Sequence, residues 1–187
     1  ATKVFNTFEG GAIICRDAKT KARIDQLKNF GHAGEVTVVA PGINGKMSEF
    51  NAALGLLQLK HIEHALECRK VIDTTYRERL AGVKGIHCLG DAGETRANYA
   101  YFPVLVQPGY PLSRDGLNQR LRDVGVFPRR YFYPLISEFP MYRGLPSAHR
   151  DNLPVASAAA QQVLCLPIYP DLPLTTVKEI AEFIANQ

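Results

Sequence analysis

Residues 48–82 read SEFNAALGLLQLKHIEHALECRKVIDTTYRERLAG, and this stretch sets the architecture. Leu56, Leu59, Ile62 and Leu66 recur at helical spacing, which predicts one long helix with a single apolar stripe. Ser48 is a good N-cap, and Glu49 places negative charge beside the positive end of the helix. Gly82 and Gly85 end the pattern. Unbroken to Ala81, such a helix is about 50 Å long at about 1.5 Å per residue. A helix of that length is expected to cross more than one domain or to pack on a partner chain.

Upstream, HAGEVTVVAPGINGK (32–46) holds a proline and three glycines, so it reads as a long loop, and loops of that length tend to carry function. Before it, Asp17 can cap a helix through AKTKARIDQLKNF (18–30), with Gly31 as its C′ residue. Ala12 to Cys15 reads as a short buried strand. The chain opens on ATKVFNTFEGGAII, where Gly10 and Gly11 allow a tight turn or a close backbone approach. By itself, Lys3 in this stretch reads as an exposed residue near a chain end.

Downstream of Gly85 strands and helices alternate. IHCLG (86–90) and NYAYFPVLV (98–106) read as strands, and Ser113 can cap a helix through Val124 that Gly125 ends. VFPRRYFYPL (126–135) is extended and aromatic. Pro154 suits the first turn of a short helix that leads into the strand VLCLPI (163–168). Thr176 to Glu179 reads as a capping box opening a last helix. The fold class is therefore α/β, with a small α/β domain following the long helix.

Composition narrows the function classes. The 187 residues carry 22 basic and 18 acidic side chains, a net +4 that is spread along the chain. No aromatic-interleaved basic stripe appears, so nucleic acid is not an expected partner, whereas a small anionic substrate suits the charge. No stretch approaches the roughly 20 apolar residues of a membrane helix, and no secretory leader pattern is visible, so no membrane partner and a cytoplasmic location are expected. The four cysteines, Cys15, Cys68, Cys88 and Cys165, form no CxxC pair and read as reduced thiols.

Three groups of residues bear on chemistry. His61, His64 and Cys68 share one helix face and are zinc-binding types, but no fourth ligand is identifiable and HExxH is absent. Solvated histidines beside a half-buried cysteine are the plainer account, so no metal is expected, and a zinc hydrolase is the weakest functional reading. GINGK lacks the spacing of a P-loop, although Asn44 and Lys46 near a helix start suit a phosphate. RRYFYPLISEFPMYR (129–143) gathers three arginines and three tyrosines around two prolines, a polar aromatic wall suited to hydroxylated anionic ligands.

Four segments in chain order resemble one family. ATKVFNTFEGG, GINGKMSEFNAALGLLQL, RYFYPLISEFPMYRGLP and CLPIYPDLP are similar to motifs of the DegT/DnrJ/EryC1/StrS sugar aminotransferases, over essentially the whole chain. The resemblance implies the C-terminal part of a fold type I pyridoxal-phosphate enzyme, beginning just ahead of its cofactor lysine. Residues 1–47 would end the large cofactor-binding domain, 48–82 form the connecting helix and 83–187 the small α/β domain.

It also implies roles. Lys3 becomes the catalytic lysine joined covalently to pyridoxal 5′-phosphate, not an idle terminal residue. Asn44 becomes a ligand of the cofactor phosphate of the neighbouring subunit in a homodimer. Lys46, Arg130, Tyr131 and Tyr133 become substrate-binding residues for a nucleotide-linked keto-sugar, with glutamate as amino donor. Tyr131 stands where many members have a histidine, and Phe132 where they have a tyrosine. The chain alone is expected to be inactive, because the family's ring-nitrogen carboxylate and most of its phosphate cup precede the lysine. The family's dehydratases, with histidine in place of the lysine, are disfavoured by Lys3. The alternative is a non-catalytic dimerisation or binding domain of the same fold.

Overall fold

The computed structural model describes residues 3–90 and 95–187, so the first two residues of the ATK motif lie outside it. The chain divides into two compact units, one up to Glu63 and the other from His64 to Gln187.

In the first unit, helix α1 spans Ala18–Lys28, and Asp17 caps it by accepting the Thr20 N–H at 2.8 Å. Its C-terminus departs slightly from the sequence expectation. Phe30 takes the left-handed C′ position at φ 58°, Gly31 follows it at φ 84°, and the Gly31 N–H closes back on Gln26 O at 2.8 Å. Gly31 is still required, since its φ is +84° and an added Cβ would fall 1.7 Å from Ala40 O.

The loop that follows is laced to the end of α1. Phe30 N–H donates to Ile43 O at 3.0 Å, Ile43 N–H to Leu27 O at 2.9 Å and Gly45 N–H to Lys28 O at 2.8 Å. The strand expected at Ala12 to Cys15 does not form, and Ile13 and Ile14 are 72% and 96% exposed. A strand needs a neighbour for its N–H and C=O groups, and none pairs with this segment among the described residues.

Helix α2 spans Glu49–Leu80 as one element, with Asn51 N–H donating to Ser48 Oγ at 3.3 Å in its first turn. The expected stripe is not what is buried: Leu56 and Leu59 are exposed and Ile62 and Leu66 half-buried, while Ile72, Tyr76 and Leu80 further along α2 lie in the core of the second unit.

That core is built on a three-stranded antiparallel sheet of order β1-β2-β3, with β1 Ile86–Cys88, β2 Phe102–Val106 and β3 Val163–Leu166. Ile86 pairs with Val106, and Phe102 with Leu166. Burial alternates along β2 as period-2 geometry dictates, whereas all four residues of β3 are buried.

Helices α3 (Arg114–Asp123), α4 (Pro154–Gln162) and α5 (Leu174–Ala185) complete the unit. Leu117 and Leu121 from α3 join Val177, Ile180 and Ile184 from α5 around Phe102, Val104 and Leu164. Ser113 caps α3 as expected, accepting the Gly116 N–H at 3.1 Å. The capping box expected at Thr176 is not the helix start: α5 begins two residues earlier, after Pro173, which puts Thr176 inside the helix. Proline's fixed φ suits the residue entering a helix, and Pro173 has no side-chain oxygen with which to cap.

Candidate functional site

The residues singled out by sequence fall in both units. In the first, the segment after Lys3 is folded by short local bonds. Asn6 Nδ2 donates to Lys3 O at 3.5 Å, Phe8 N–H to Asn6 Oδ1 at 3.3 Å, and Thr7 Oγ1 to Glu9 O at 3.3 Å. Thr7 is buried, and Asn51 of α2 donates its side-chain amide to Glu9 O. Gly10 permits this packing, because a Cβ there would meet Thr7 Oγ1 at 2.5 Å and Met47 Cε at 2.7 Å. The segment and α2 enclose an apolar cavity of about 450 Å³ lined by Phe5, Met47, Gly55, Leu56 and Leu59 among others. The Lys3 side chain is exposed.

Asn44 sits in the loop after α1, its backbone bridged antiparallel to Asn29, and it is exposed. Its side-chain amide makes no hydrogen bond among the described residues, so both its donor and its acceptor are available. Lys46 is differently placed. Its Nζ donates to Asn29 Oδ1 at 3.1 Å and lies 4.5 Å from the centroid of the Phe30 ring, a cation–π contact. The two residues expected to meet phosphate therefore share one loop and Asn29 as a common neighbour. Asn29 had no distinguishing sequence signal beyond its place at the end of α1.

In the second unit, the aromatic segment forms a compact polar wall. Arg129 exchanges both backbone hydrogen bonds with Cys165, at 2.9 and 2.7 Å, which ties the segment to β3. Tyr131 and Phe132 stack with centroids 4.7 Å apart, and Tyr101 meets both edge-on at 5.6 and 6.1 Å. Arg129 donates to the Tyr131 hydroxyl at 3.2 Å. The Cys165 thiol faces Tyr131 O at 3.9 Å, and burial pushes its pKa up to about 11, so it stays a neutral thiol at physiological pH.

Arg130 and Tyr133 are held by two residues that sequence reasoning missed. Arg114, 3% exposed, places its guanidinium 4.5 Å from the Tyr133 ring centroid and donates to Ala160 O at 2.9 Å. Asp115 lies 2.8 Å from Arg114 Nε and 3.0 Å from Arg130 Nη1. Partial burial pushes the Asp115 carboxyl upward, but hydrogen bonds from Arg114 and Arg130 outweigh it and hold the pKa below the ordinary carboxylate range. Asp115 thus remains ionised and anchors Arg130. One signal was legible in the sequence: an arginine opening a helix opposes the helix dipole, so a partner elsewhere was to be expected.

On the α2 face, His64 and Cys68 are in contact, with Cys68 Sγ 3.6 Å from His64 Nε2. No group of three histidine, cysteine or acidic side chains able to hold a metal occurs among the described residues, so His61 does not complete a three-ligand site. No helix among them is long and apolar enough to cross a membrane.

A lysine segment ending in two glycines, an unspent asparagine amide beside a lysine ahead of α2, and an arginine–tyrosine wall stand in one chain order. The family model for DegT/DnrJ/EryC1/StrS aminotransferases matches residues 1–185. The chain belongs to that family.

Two similar curated proteins bear the same name. The dTDP-4-amino-4,6-dideoxy-D-glucose transaminase of Escherichia coli is 56% identical over 180 residues, covering 96% of this chain and 48% of that protein. The protein of the same name from Shigella dysenteriae is 44% identical over 186 residues, covering 100% of this chain and 49% of its own length. This member of the DegT/DnrJ/EryC1/StrS family therefore spans about half the length of the curated relatives it matches. Among solved structures, DesI, studied in the presence of its TDP-sugar product, superposes with a TM-score of 0.85 at 32% identity. The match covers 98% of this chain and 46% of DesI, and it confirms the fold expected from the four motifs.

Proposed function

We propose that this chain is the C-terminal part of a cytoplasmic, homodimeric, pyridoxal-phosphate-dependent aminotransferase acting on a nucleotide-linked keto-sugar, with glutamate as amino donor. The observation that carries the reading is the 56% identity, over 96% of this chain, to a transaminase of a dTDP-linked amino-dideoxyglucose. In this proposal residues 1–47 belong to the cofactor-binding domain, 48–82 connect, and 83–187 form the small domain.

The donor set fits the cofactor. Lys3 offers an exposed primary amine for a covalent bond to the aldehyde, and Asn44 offers an unspent amide for a phosphate oxygen. Pyridoxal phosphate supplies the electron sink when bound. With the cofactor bound, Lys3 Nζ would be the group placed to move a proton. A free lysine with a pKa near ~10.4 is protonated at neutral pH and a poor nucleophile, so holding it in covalent form keeps it ready. In the second unit Arg130, fixed by Asp115, offers positive charge and the Tyr131 and Tyr133 hydroxyls offer hydrogen bonds to an anionic sugar substrate, and in the first unit Lys46 offers a second substrate-binding cation. Turnover is assigned to the longer protein, in which further residues meet the ring nitrogen and most of the phosphate.

The test is chemical. The full-length protein loaded with pyridoxal phosphate should be yellow, and borohydride should fix the cofactor on Lys3 alone. Peptide mapping that finds the label on Lys46 would overturn the assignment of the two loops. Retained colour and turnover in a Lys3→Ala variant would overturn the role of Lys3.

A further inference from the structure

We propose that His64 and Cys68 form a two-ligand binding site for a thiophilic divalent cation of the zinc or cadmium type, on the outer face of α2. The site is independent of the aminotransferase reading.

The argument begins with spacing. Residues four apart on an α-helix project from the same face one turn apart, so a histidine and a cysteine at i and i+4 can share one ion. A tetrahedral zinc ion with Zn–S near 2.3 Å and Zn–N near 2.0–2.1 Å sets sulfur and nitrogen about 3.5–3.6 Å apart. The observed Cys68 Sγ to His64 Nε2 distance is 3.6 Å. The two donor atoms thus already stand at the required separation. Nδ1 lies 4.0 Å from the sulfur, so the ring must turn about its Cβ–Cγ bond to aim the Nε2 lone pair at the ion. That torsion is broad in histidine and the adjustment costs little.

The surroundings leave the site open. His64 is exposed and Cys68 half-buried. The neighbouring Arg69 guanidinium does not compete for the thiolate, because it is committed to Tyr99 O at 3.1 Å and Ile168 O at 3.0 Å. Water fills the remaining coordination positions, which makes the ion exchangeable, not structural. The other cysteines lack the arrangement. Cys88 and Cys165 have pKa values raised by burial, and no histidine contact to Cys15 is found among the described residues. Binding forms a metal–sulfur bond at Cys68 and releases the thiol proton to solvent.

Cobalt(II) is the probe, because a cobalt–thiolate bond gives a charge-transfer band in the near ultraviolet. The reduced, metal-free protein titrated with cobalt(II) should develop the band with one ion per chain, and zinc should displace it. Cys68→Ser should abolish the band, and His64→Gln should weaken binding about tenfold, which is about 1.4 kcal/mol. Cys15→Ser and Cys88→Ser should leave it unchanged. The substituted α2 side chains lie outside the core, and far-ultraviolet circular dichroism checks that each variant is folded. A band that survives Cys68→Ser, an affinity unchanged in His64→Gln, or no band in the folded parent protein would each overturn the proposal.

Discussion

Replacing Tyr76 with phenylalanine tests how the end of α2 is held within the second unit. Tyr76 is 0% exposed, its ring stacks on Phe102 at 4.9 Å, and its hydroxyl donates to Pro167 O at 3.2 Å. Phenylalanine keeps the stacked ring and removes the hydrogen bond. A net hydrogen bond contributes about 0.5–1.5 kcal/mol, and leaving a buried carbonyl without a donor costs about 1–3 kcal/mol, so the expected loss is about 1–2 kcal/mol. With a urea m-value of about 1–3 kcal/mol/M, the midpoint should fall by roughly 0.5–1 M without a change in slope.

The pH dependence adds a second readout. Burial raises the Tyr76 phenol above its ordinary value, and a smaller contribution from Tyr169 acts in the same direction. A group whose folded pKa is raised gives stability that is complete below the unfolded pKa and is lost as pH rises through the folded one. The parent protein should therefore lose stability above about pH 10, where an unfolded tyrosine ionises. Tyr76→Phe escapes that share of the loss, so the gap between the two proteins should narrow at alkaline pH. Urea unfolding followed by circular dichroism at pH 7 and at about pH 10.5 measures both. A substitution without effect at pH 7, or a gap that widens with pH, would refute the reasoning.

Two further predictions concern other parts of the chain. Gly31→Ala should destabilise the loop after α1 by about 1–3 kcal/mol from backbone strain alone, since φ is +84° and Ala40 O stands where the methyl must go. Gly34→Ala, with nothing within 4 Å of its added Cβ, should be nearly neutral, and limited proteolysis of residues 32–46 compares the two. In the native protein at about pH 8, Cys165 should react with iodoacetamide more slowly than Cys68, because burial holds its pKa at about 11. Mass spectrometry after timed quenching reads the order, and equal native rates would contradict the assigned burial.

Much of the local structure was legible in sequence because its causes are local. Asp17 and Ser113 cap helices where a short oxygen side chain precedes a periodic run, and Pro154 begins α4 where its missing N–H costs nothing. Two of the departures have physical causes beyond the local signal. The apolar run Ala12–Cys15 has strand character but no strand beside it, and Thr176–Glu179 has capping residues inside a helix that begins earlier. Capping patterns mark possible starts, and the packing of Val177, Ile180 and Ile184 into the core accompanies the start after Pro173.

The site divides in the same way. Motif order pointed to Lys3, Asn44, Lys46, Arg130, Tyr131 and Tyr133 as candidates through resemblance to one family's pattern, with Tyr131 standing where many members have a histidine. Sequence alone determined the α/β class, the long helix, most helix ends and the family. Only the tertiary structure decided which side chains hold the candidate residues in place: Asn29 against Lys46, Asp115 against Arg130, and Arg114 beneath the Tyr133 ring. Caps and periodicity act within a few residues and are written in the local sequence. The pairing of Arg114 with Tyr133 and Ala160 joins positions 19 and 46 residues apart, and no local preference specifies it. It exists because folding buries a guanidinium, and a buried charge must find an aromatic face, a carbonyl or a carboxylate within reach.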